Sequence, residues 1–344
     1  MARGAFTIGE EEVAPGEQRL VSLKLSALSN RTPMNLPVSV IHGAREGPTL
    51  FVSAAVHGDE LTGVAICRRL LASKALAVTR GTLLIVPIVN AFGFIGHSRY
   101  LPDRRDLNRS FPGSPRGSLA AQLAHLFLNE VVAQCDYGID LHSAAIHRAN
   151  LPQIRVDSHD AASLAFAEAF AAPIIVHSAL REGSLRQAAR ARGVPVIVYE
   201  AGEGLRVDAL SVSVGLQGVL RAMAFLGMIP KRKGRQRPAV LSTSSRWVRA
   251  EESGLFRPFK TIGAHVREGE RIGVVADPYG GKESDLFASL TGIVIGRANN
   301  PAVNQGDALF HIAMVENASR LGAHYERLEK ELDTERLLDE DEIL

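Results

Sequence analysis

Thr49-Leu50-Phe51-Val52-Ser53-Ala54-Ala55-Val56-His57-Gly58-Asp59-Glu60 is the stretch on which the fold turns. A short apolar run closed by polar residues and glycine reads as a buried strand. His57 and Glu60 then stand just past the end of that strand, three positions apart. In open, mostly parallel sheets, ligands bind outside the carboxyl ends of the strands. An imidazole and a carboxylate in that setting are metal ligands in type and in place.

Working outward, the same pattern returns. Tyr137-Gly138-Ile139-Asp140-Leu141-His142 is a second apolar run ending on an imidazole, and Val194-Pro195-Val196-Ile197-Val198-Tyr199 runs into Glu200. Strands are expected over residues 49–56, 82–89, 136–141, 174–177 and 194–199. Amphipathic helices are expected over 60–76, 118–132, 160–170, 184–192 and 210–225. This alternation predicts strands joined by crossover helices. Residues 18–26 and 34–42 read as antiparallel edge strands. The expected class is therefore α/β, a mixed and mostly parallel sheet flanked by helices over residues 1–229.

Pro230-Lys231-Arg232-Lys233-Gly234-Arg235-Gln236-Arg237-Pro238 breaks the pattern and reads as a linker (230–238). No aromatics interleave its basic residues, so a nucleic-acid patch is the poorer reading. Beyond it the helical period disappears. Ser253-Gly254-Leu255-Phe256 leading to Val266-Arg267-Glu268-Gly269-Glu270-Arg271-Ile272 is echoed by Thr291-Gly292-Ile293-Val294 leading to Val303-Asn304-Gln305-Gly306-Asp307-Ala308-Leu309. Two copies of one short-strand unit predict a two-fold all-β domain over 239–315. That stretch resembles the biotinyl/lipoyl-like barrel-sandwich domain. Such carriers modify a lysine between the halves, where this chain has Lys282. The methionines that flank an acceptor lysine are absent, so Lys282 reads as a solvated loop residue. The acidic stretch 316–344 reads as a surface helix that frays.

Bulk composition narrows the function classes. The chain has 344 residues, 46% hydrophobic, with a formal charge of +2, which leaves no global field to attract nucleic acid. No run reaches membrane-spanning length, and the N-terminus lacks secretory signal character. Cys67 and Cys135 lack CxxC spacing, so neither a disulfide framework nor a thiolate zinc site is suggested. A cytoplasmic protein with a small-molecule partner is expected, and a homo-oligomer is compatible with the sequence.

Two imidazoles and one carboxylate are the ligand set of an open zinc site, one Zn2+ per chain, in which bound water ionises near neutral pH. His142 is the strongest partner for His57 and Glu60, because it ends a strand and has Asp140 and Ser143 beside it to orient it. Glu200 is not needed as a ligand and is free to act as general base. An N-cap role or an ion pair with a nearby arginine is its plainer alternative. The long polar loop 90–113 offers Arg99 to stabilise an oxyanion and Asn108 with Arg109 to hold a carboxylate.

On these residues the chain resembles the succinylglutamate desuccinylase/aspartoacylase family, a branch of the zinc carboxypeptidase-like fold. The motifs are His-Gly-x-Glu at His57 to Glu60, Ser/Thr-Arg-Tyr at Ser98 to Tyr100, Asp-Leu-Asn-Arg at Asp106 to Arg109, Asp-Leu-His at Asp140 to His142, and Glu200. The resemblance implies zinc on His57, Glu60 and His142, Arg99 polarising the carbonyl, a carboxylate grip by Asn108 and Arg109, and Glu200 as base. The aromatic and arginine that complete an aspartate pocket have no clear counterpart; Arg186 and Arg190 are the candidates, and exposed helix arginines are their plainer reading. The expected activity is hydrolysis of the amide of an N-acyl amino acid or a related small acylated amine. A carboxypeptidase on short peptides and a non-catalytic binding or carrier protein are the alternatives.

Overall fold

The computed structural model describes residues 3–27, 30–231 and 239–315. Most of the expected linker and all of the acidic tail lie outside the described residues. A short hairpin, β1 (Phe6–Ile8) and β2 (Glu11–Val13), opens the chain. The antiparallel pair β3 (Glu17–Ala27) and β4 (Pro33–His42) follows and forms the expected sheet edge. Next come β5 (Arg45–Ala54), β6 (Arg80–Val86), β7 (Tyr137–His142), β8 (Arg148–Val156), β9 (Ile174–His177) and β10 (Val196–Glu203). Strand β5 lies parallel between β6 and β7, and β7 lies parallel to β10.

The result is a mixed α/β fold with a central mixed sheet and helices. Among the elements not foreseen, β8 matters most: it runs antiparallel to β10 and carries β9 on its other side. Its sequence, Arg148-Ala149-Asn150-Leu151-Pro152-Gln153-Ile154-Arg155-Val156, mixes in polar residues, two of which, Asn150 and Arg155, reach Glu200, so no clean apolar run marks it.

The helices are α1 (Thr62–Leu71), α2 (Ala91–Ile95), α3 (Leu119–Leu126), α4 (Ala161–Phe170), α5 (Leu185–Arg190) and α6 (Ala209–Phe225). Ser118, Asp160, Ser184 and Asp208 each accept a backbone N–H of the first turn, which fixes where four of them start. The helix expected over 60–76 ends at Leu71, and a 3-10 turn (Lys74–Val78) follows. The one expected over 118–132 leaves α geometry at Phe127. The sheet has two apolar faces. Ile66, Leu70, Phe166, Phe170 and Met223 pack one of them, while Phe51, Leu123, Phe127, Leu185 and Ala189 pack the other.

The C-terminal strands are β11 (Val240–Ser242), β12 (Ser245–Arg249), β13 (Gly254–Pro258), β14 (His265–Val266), β15 (Arg271–Ala276), β16 (Glu283–Phe287), β17 (Gly292–Ala298), β18 (Ala302–Val303) and β19 (Ala308–Ala313). The sequence echo has a structural counterpart in reciprocal pairing. In register, β13 takes β18 with Gly254 opposite Val303, and β17 takes β14 with Gly292 opposite Val266. Each copy also carries a glycine with positive φ, Gly269 at 76° and Gly306 at 87°, a conformation that side chains resist.

These strands are joined to the main sheet. Strand β17 pairs antiparallel with β8, and β11 pairs parallel with β9. Leu151, Ile174, Ile293, Ile295 and Ala313 form one buried cluster across that seam.

Candidate active site

The chain leaves β5 through Ala55, whose φ of 48° is left-handed, a costly conformation for a residue with a Cβ. Past it the Glu60 N–H donates to the His57 carbonyl at 3.2 Å, a turn that holds both residues beyond the end of β5. Gly58 lies against the backbone of Gly93, where an added Cβ would sit 1.8 Å from the Gly93 carbonyl carbon, so no other residue fits. Strand β7 delivers His142 at its last position, alongside the end of β5.

The three expected ligands meet. One donor atom from each of His57, Glu60 and His142 lies within 4.8 Å of the others. All three are buried, at 4%, 2% and 3% exposure. Glu60 stands between the rings, with Oε1 2.7 Å from His57 Nδ1 and Oε2 2.7 Å from His142 Nδ1. The Ser143 N–H also donates to Oε2, at 3.1 Å.

The outer nitrogens are held by carboxylates. His142 Nε2 lies 2.6 Å from Asp140 Oδ2, and His57 Nε2 lies 3.1 Å from Asp106 Oδ1. The Ser53 hydroxyl fixes Asp140 at 2.7 Å. Carboxylates on the outer nitrogens are the usual second layer of a metal-bound histidine, because they set tautomer and ring angle. Asp140 was an expected member of that layer. Asp106 was visible only as part of a motif, since nothing in the sequence says that its loop returns to His57.

The electrostatics of the cluster favour added positive charge. Burial opposes every ion here, yet Asp140 and Glu60 hold the His142 imidazole well above its usual pKa, and Glu60 and Asp106 raise that of His57. Burial opposes ionisation of Glu60 and Asp106 too. The two imidazoles nevertheless keep Glu60 well below the usual carboxylate range, and His57 with Arg99 does the same for Asp106. Two nitrogens and an oxygen, converging in a buried place with anions behind them, suit a divalent cation of the zinc type.

Arg99 leans into this group from the loop. Its Nε and Nη2 donate to Asp106 Oδ2 at 3.1 and 2.9 Å, and its Nη1 lies 3.2 Å from His57 Nδ1 and 3.6 Å from Glu60 Oε1. Asn108 is half-buried, and its side-chain oxygen accepts the Leu185 N–H at 2.9 Å, tying the loop to the start of α5. Arg109 is exposed.

Glu200 does not end its strand; β10 continues to Glu203, and Glu200 pairs in register with His142 on one side and Gln153 on the other. Its carboxylate accepts from Asn150 Nδ2 at 3.0 Å and lies 3.4 Å from Arg155 Nη1. The ion-pair alternative is thus realised in geometry, through an arginine on the unforeseen strand β8. Arg186 is half-buried rather than exposed. It donates to the Ser178 hydroxyl at 3.1 Å and the Ala179 carbonyl at 2.8 Å, and burial pulls its pKa down to about 10. Arg190 is exposed and pairs with Asp160 at 3.0 Å. Lys282 sits between β15 and β16, in an exposed pair with Glu252 at 2.6 Å.

A mixed sheet thus carries at its strand ends a buried His, Glu and His cluster that could hold a metal ion. Residues 46–226 match the succinylglutamate desuccinylase/aspartoacylase catalytic domain, and the chain belongs to that family of amidohydrolases. It is 28% identical over 294 residues, 81% of this chain and 86% of the other, to a protein of Halomonas elongata named N-alpha-acetyl-L-2,4-diaminobutyric acid deacetylase. The product-bound structure of the ectoine utilization protein EutE (DoeB) from Ruegeria pomeroyi superposes with a TM-score of 0.78 at 26% identity, over 87% of this chain and 95% of that one. A succinylglutamate desuccinylase/aspartoacylase from Rhodobacter sphaeroides gives the same TM-score, identity and coverage. Among the described residues no helix is long and apolar enough to cross a membrane.

Proposed function

We propose that this protein is a zinc-dependent hydrolase of the amide bond in an N-acyl amino acid or a related small acylated amine. The observation that carries the reading is the meeting of His57, Glu60 and His142 around one buried point, with Asp106 and Asp140 behind the rings. These three residues would hold the ion, which when bound supplies Lewis acidity and an acidic water at neutral pH.

The chain's own groups divide the remaining work. Glu200 takes a proton from the attacking water and returns it to the leaving nitrogen, and Asn150 and Arg155 keep its carboxylate oriented. Arg99, anchored on Asp106, offers a guanidinium to the oxygen that gains charge. Arg109, exposed beside the site loop, offers a fork for a substrate carboxylate, and Asn108 sets that loop's position. The named Halomonas relative supports a short N-acetyl group on an amino acid as the first substrate to try.

The C-terminal strands read as a barrel-sandwich whose β17 backs the Glu200 side of the site through β8. The buried, unpaired Cys67 and Cys135 suit a reducing cytoplasm.

The test is a panel of N-acetyl, N-succinyl and N-formyl amino acids beside a dipeptide series, run with purified protein before and after chelation. Acyl amino acids should be cleaved faster than dipeptides. Activity should vanish with chelator and return with zinc. Faster cleavage of dipeptides would reassign the chain to peptidase chemistry, and activity that survives complete chelation would remove the metal from the reaction.

A further inference from the structure

A second set of nitrogen and oxygen donors lies away from the candidate active site. We propose that Asp157, His159 and His177 form a separate site for a first-row divalent transition cation, nickel or zinc being the simplest probes. One donor atom from each of the three lies within 4.8 Å of the other two.

The topology explains the meeting. Strands β8 and β9 run parallel with Val156 opposite His177, so the residues that follow β8 leave the sheet beside the last residue of β9. Because β8 is antiparallel to β10, this exit lies at the opposite edge of the sheet from His142. The turn after β8 then folds back on itself. The His159 N–H donates to Asp157 Oδ1 at 3.1 Å, and the Asp160 N–H donates to the Asp157 carbonyl at 3.1 Å. This brings the His159 ring edge-on to His177, with centroids 4.9 Å apart.

The ring of His177 is already oriented. The Ser158 N–H donates to its Nδ1 at 3.3 Å and the Ser158 hydroxyl lies 2.9 Å from the same atom; a cation on Nε2 takes the tautomer in which Nδ1–H donates to that hydroxyl, and the N–H contact is given up. A metal-bound histidine donates its other ring N–H to an acceptor, and the Ser158 hydroxyl oxygen is the acceptor within reach of Nδ1. Nearby Asp160 adds no further donor, because it pairs with Arg190 and caps α4.

The donor set also selects the class of ion. Two imidazoles among three donors disfavour magnesium and calcium, which take oxygen ligands, and favour nickel, copper and zinc. His159 is exposed, so water completes the coordination. Such an ion ties the turn after β8 to the end of β9. Its occupancy therefore registers as native-state stability through mass action, and not as turnover.

The inference is independent of the catalytic reading, and stoichiometry separates the two. Equilibrium dialysis of the full chain against Ni2+, with thermal unfolding under the same conditions, is compared for wild type, His159→Gln, His177→Gln and Glu60→Gln. Wild type should bind one more equivalent than either histidine variant, or hold it about tenfold or more tightly. Its unfolding midpoint should rise further with Ni2+. Glu60→Gln should keep this equivalent whatever becomes of the other. Should His177→Gln fail to fold, the exposed His159 decides alone. Equal stoichiometry and equal midpoint shifts in wild type and His159→Gln would overturn the proposal, as would a Mg2+-dependent stabilisation lost in that variant.

Discussion

The two sides of the candidate active site are built in different ways. His57, Glu60 and His142 come from the ends of two neighbouring parallel strands, and each side chain there is buried and satisfied by another member of the cluster. Glu200 stands on β10, half-buried, and its partners Asn150 and Arg155 come from an antiparallel strand that is itself backed by β17 of the C-terminal repeat. The first side combines a local device, in which a strand stops and a short motif delivers two donors, with one long-range ligand, His142, brought in by the neighbouring strand. The second depends on contacts between segments some fifty to one hundred and fifty residues apart. The ligand side should accordingly fail all at once, and the Glu200 side by degrees.

The largest expected effect lies on the ligand side. Glu60→Gln removes the carboxylate between the two rings and should abolish both tight metal binding at this centre and amide hydrolysis, read by metal analysis and turnover on the same preparation. Glu200→Gln should separate the two readouts. Metal content should stay at the wild-type level while kcat falls by about 10²–10⁴-fold, the range for losing a general base. A fully active Glu200→Gln enzyme would sink the role assigned to it. Asp140→Asn sharpens the ligand side, since loss of the charge behind His142 should weaken metal affinity by about 10–100-fold. The Glu200 side has its own intermediate case in Gly296→Ala. An added Cβ there would sit 2.9 Å from Asn150 Oδ1, so Asn150 must shift and Glu200 is left with Arg155 as its remaining partner. A fall in kcat smaller than that of Glu200→Gln, with metal content unchanged, is the expected result; unaltered kinetics would show that the C-terminal strands do not reach the chemistry.

The smallest effect concerns stability in acid. His311 on β19 is buried, stacks on Trp247 with centroids 4.3 Å apart and accepts or donates to the Ser245 hydroxyl at 2.9 Å. Burial, with Arg155 adding to it, lowers its pKa from 6.5 to about 3. The unfolded chain therefore takes up this proton first. Stability from the neutral ring is complete above about pH 6.5 and is lost as pH falls from there towards 3. In thermal melts, His311→Gln should lose less of its unfolding midpoint between pH 7 and pH 5 than wild type does. Equal losses would place the acid sensitivity elsewhere.

The same contrast accounts for what was legible in the sequence. The ligand triplet could be read because periodicity and strand ends are local signals, and the family motifs fell on them. The two-fold repeat of the C-terminal strands was legible as an echo of Ser253 to Ile272 in Thr291 to Leu309, whereas the reciprocal pairing of its strands was not. Strand β8 was not, because Arg148, Asn150, Gln153 and Arg155 break its apolar character. With β8 went Asn150 and Arg155, and also the cluster of Asp157, His159 and His177, whose members meet only because β8 pairs with β9. Asp106 was hidden for a similar reason: its partner His57 lies across a long loop whose return path no local pattern encodes.

Anomalous diffraction at the zinc edge, from crystals of the active, zinc-loaded enzyme, tests the central claim most directly. The account predicts a peak enclosed by His57 Nδ1, Glu60 and His142 Nδ1, at about 2.0–2.2 Å from each donor. Crystals of demonstrably active protein with no anomalous peak among those three residues would contradict it.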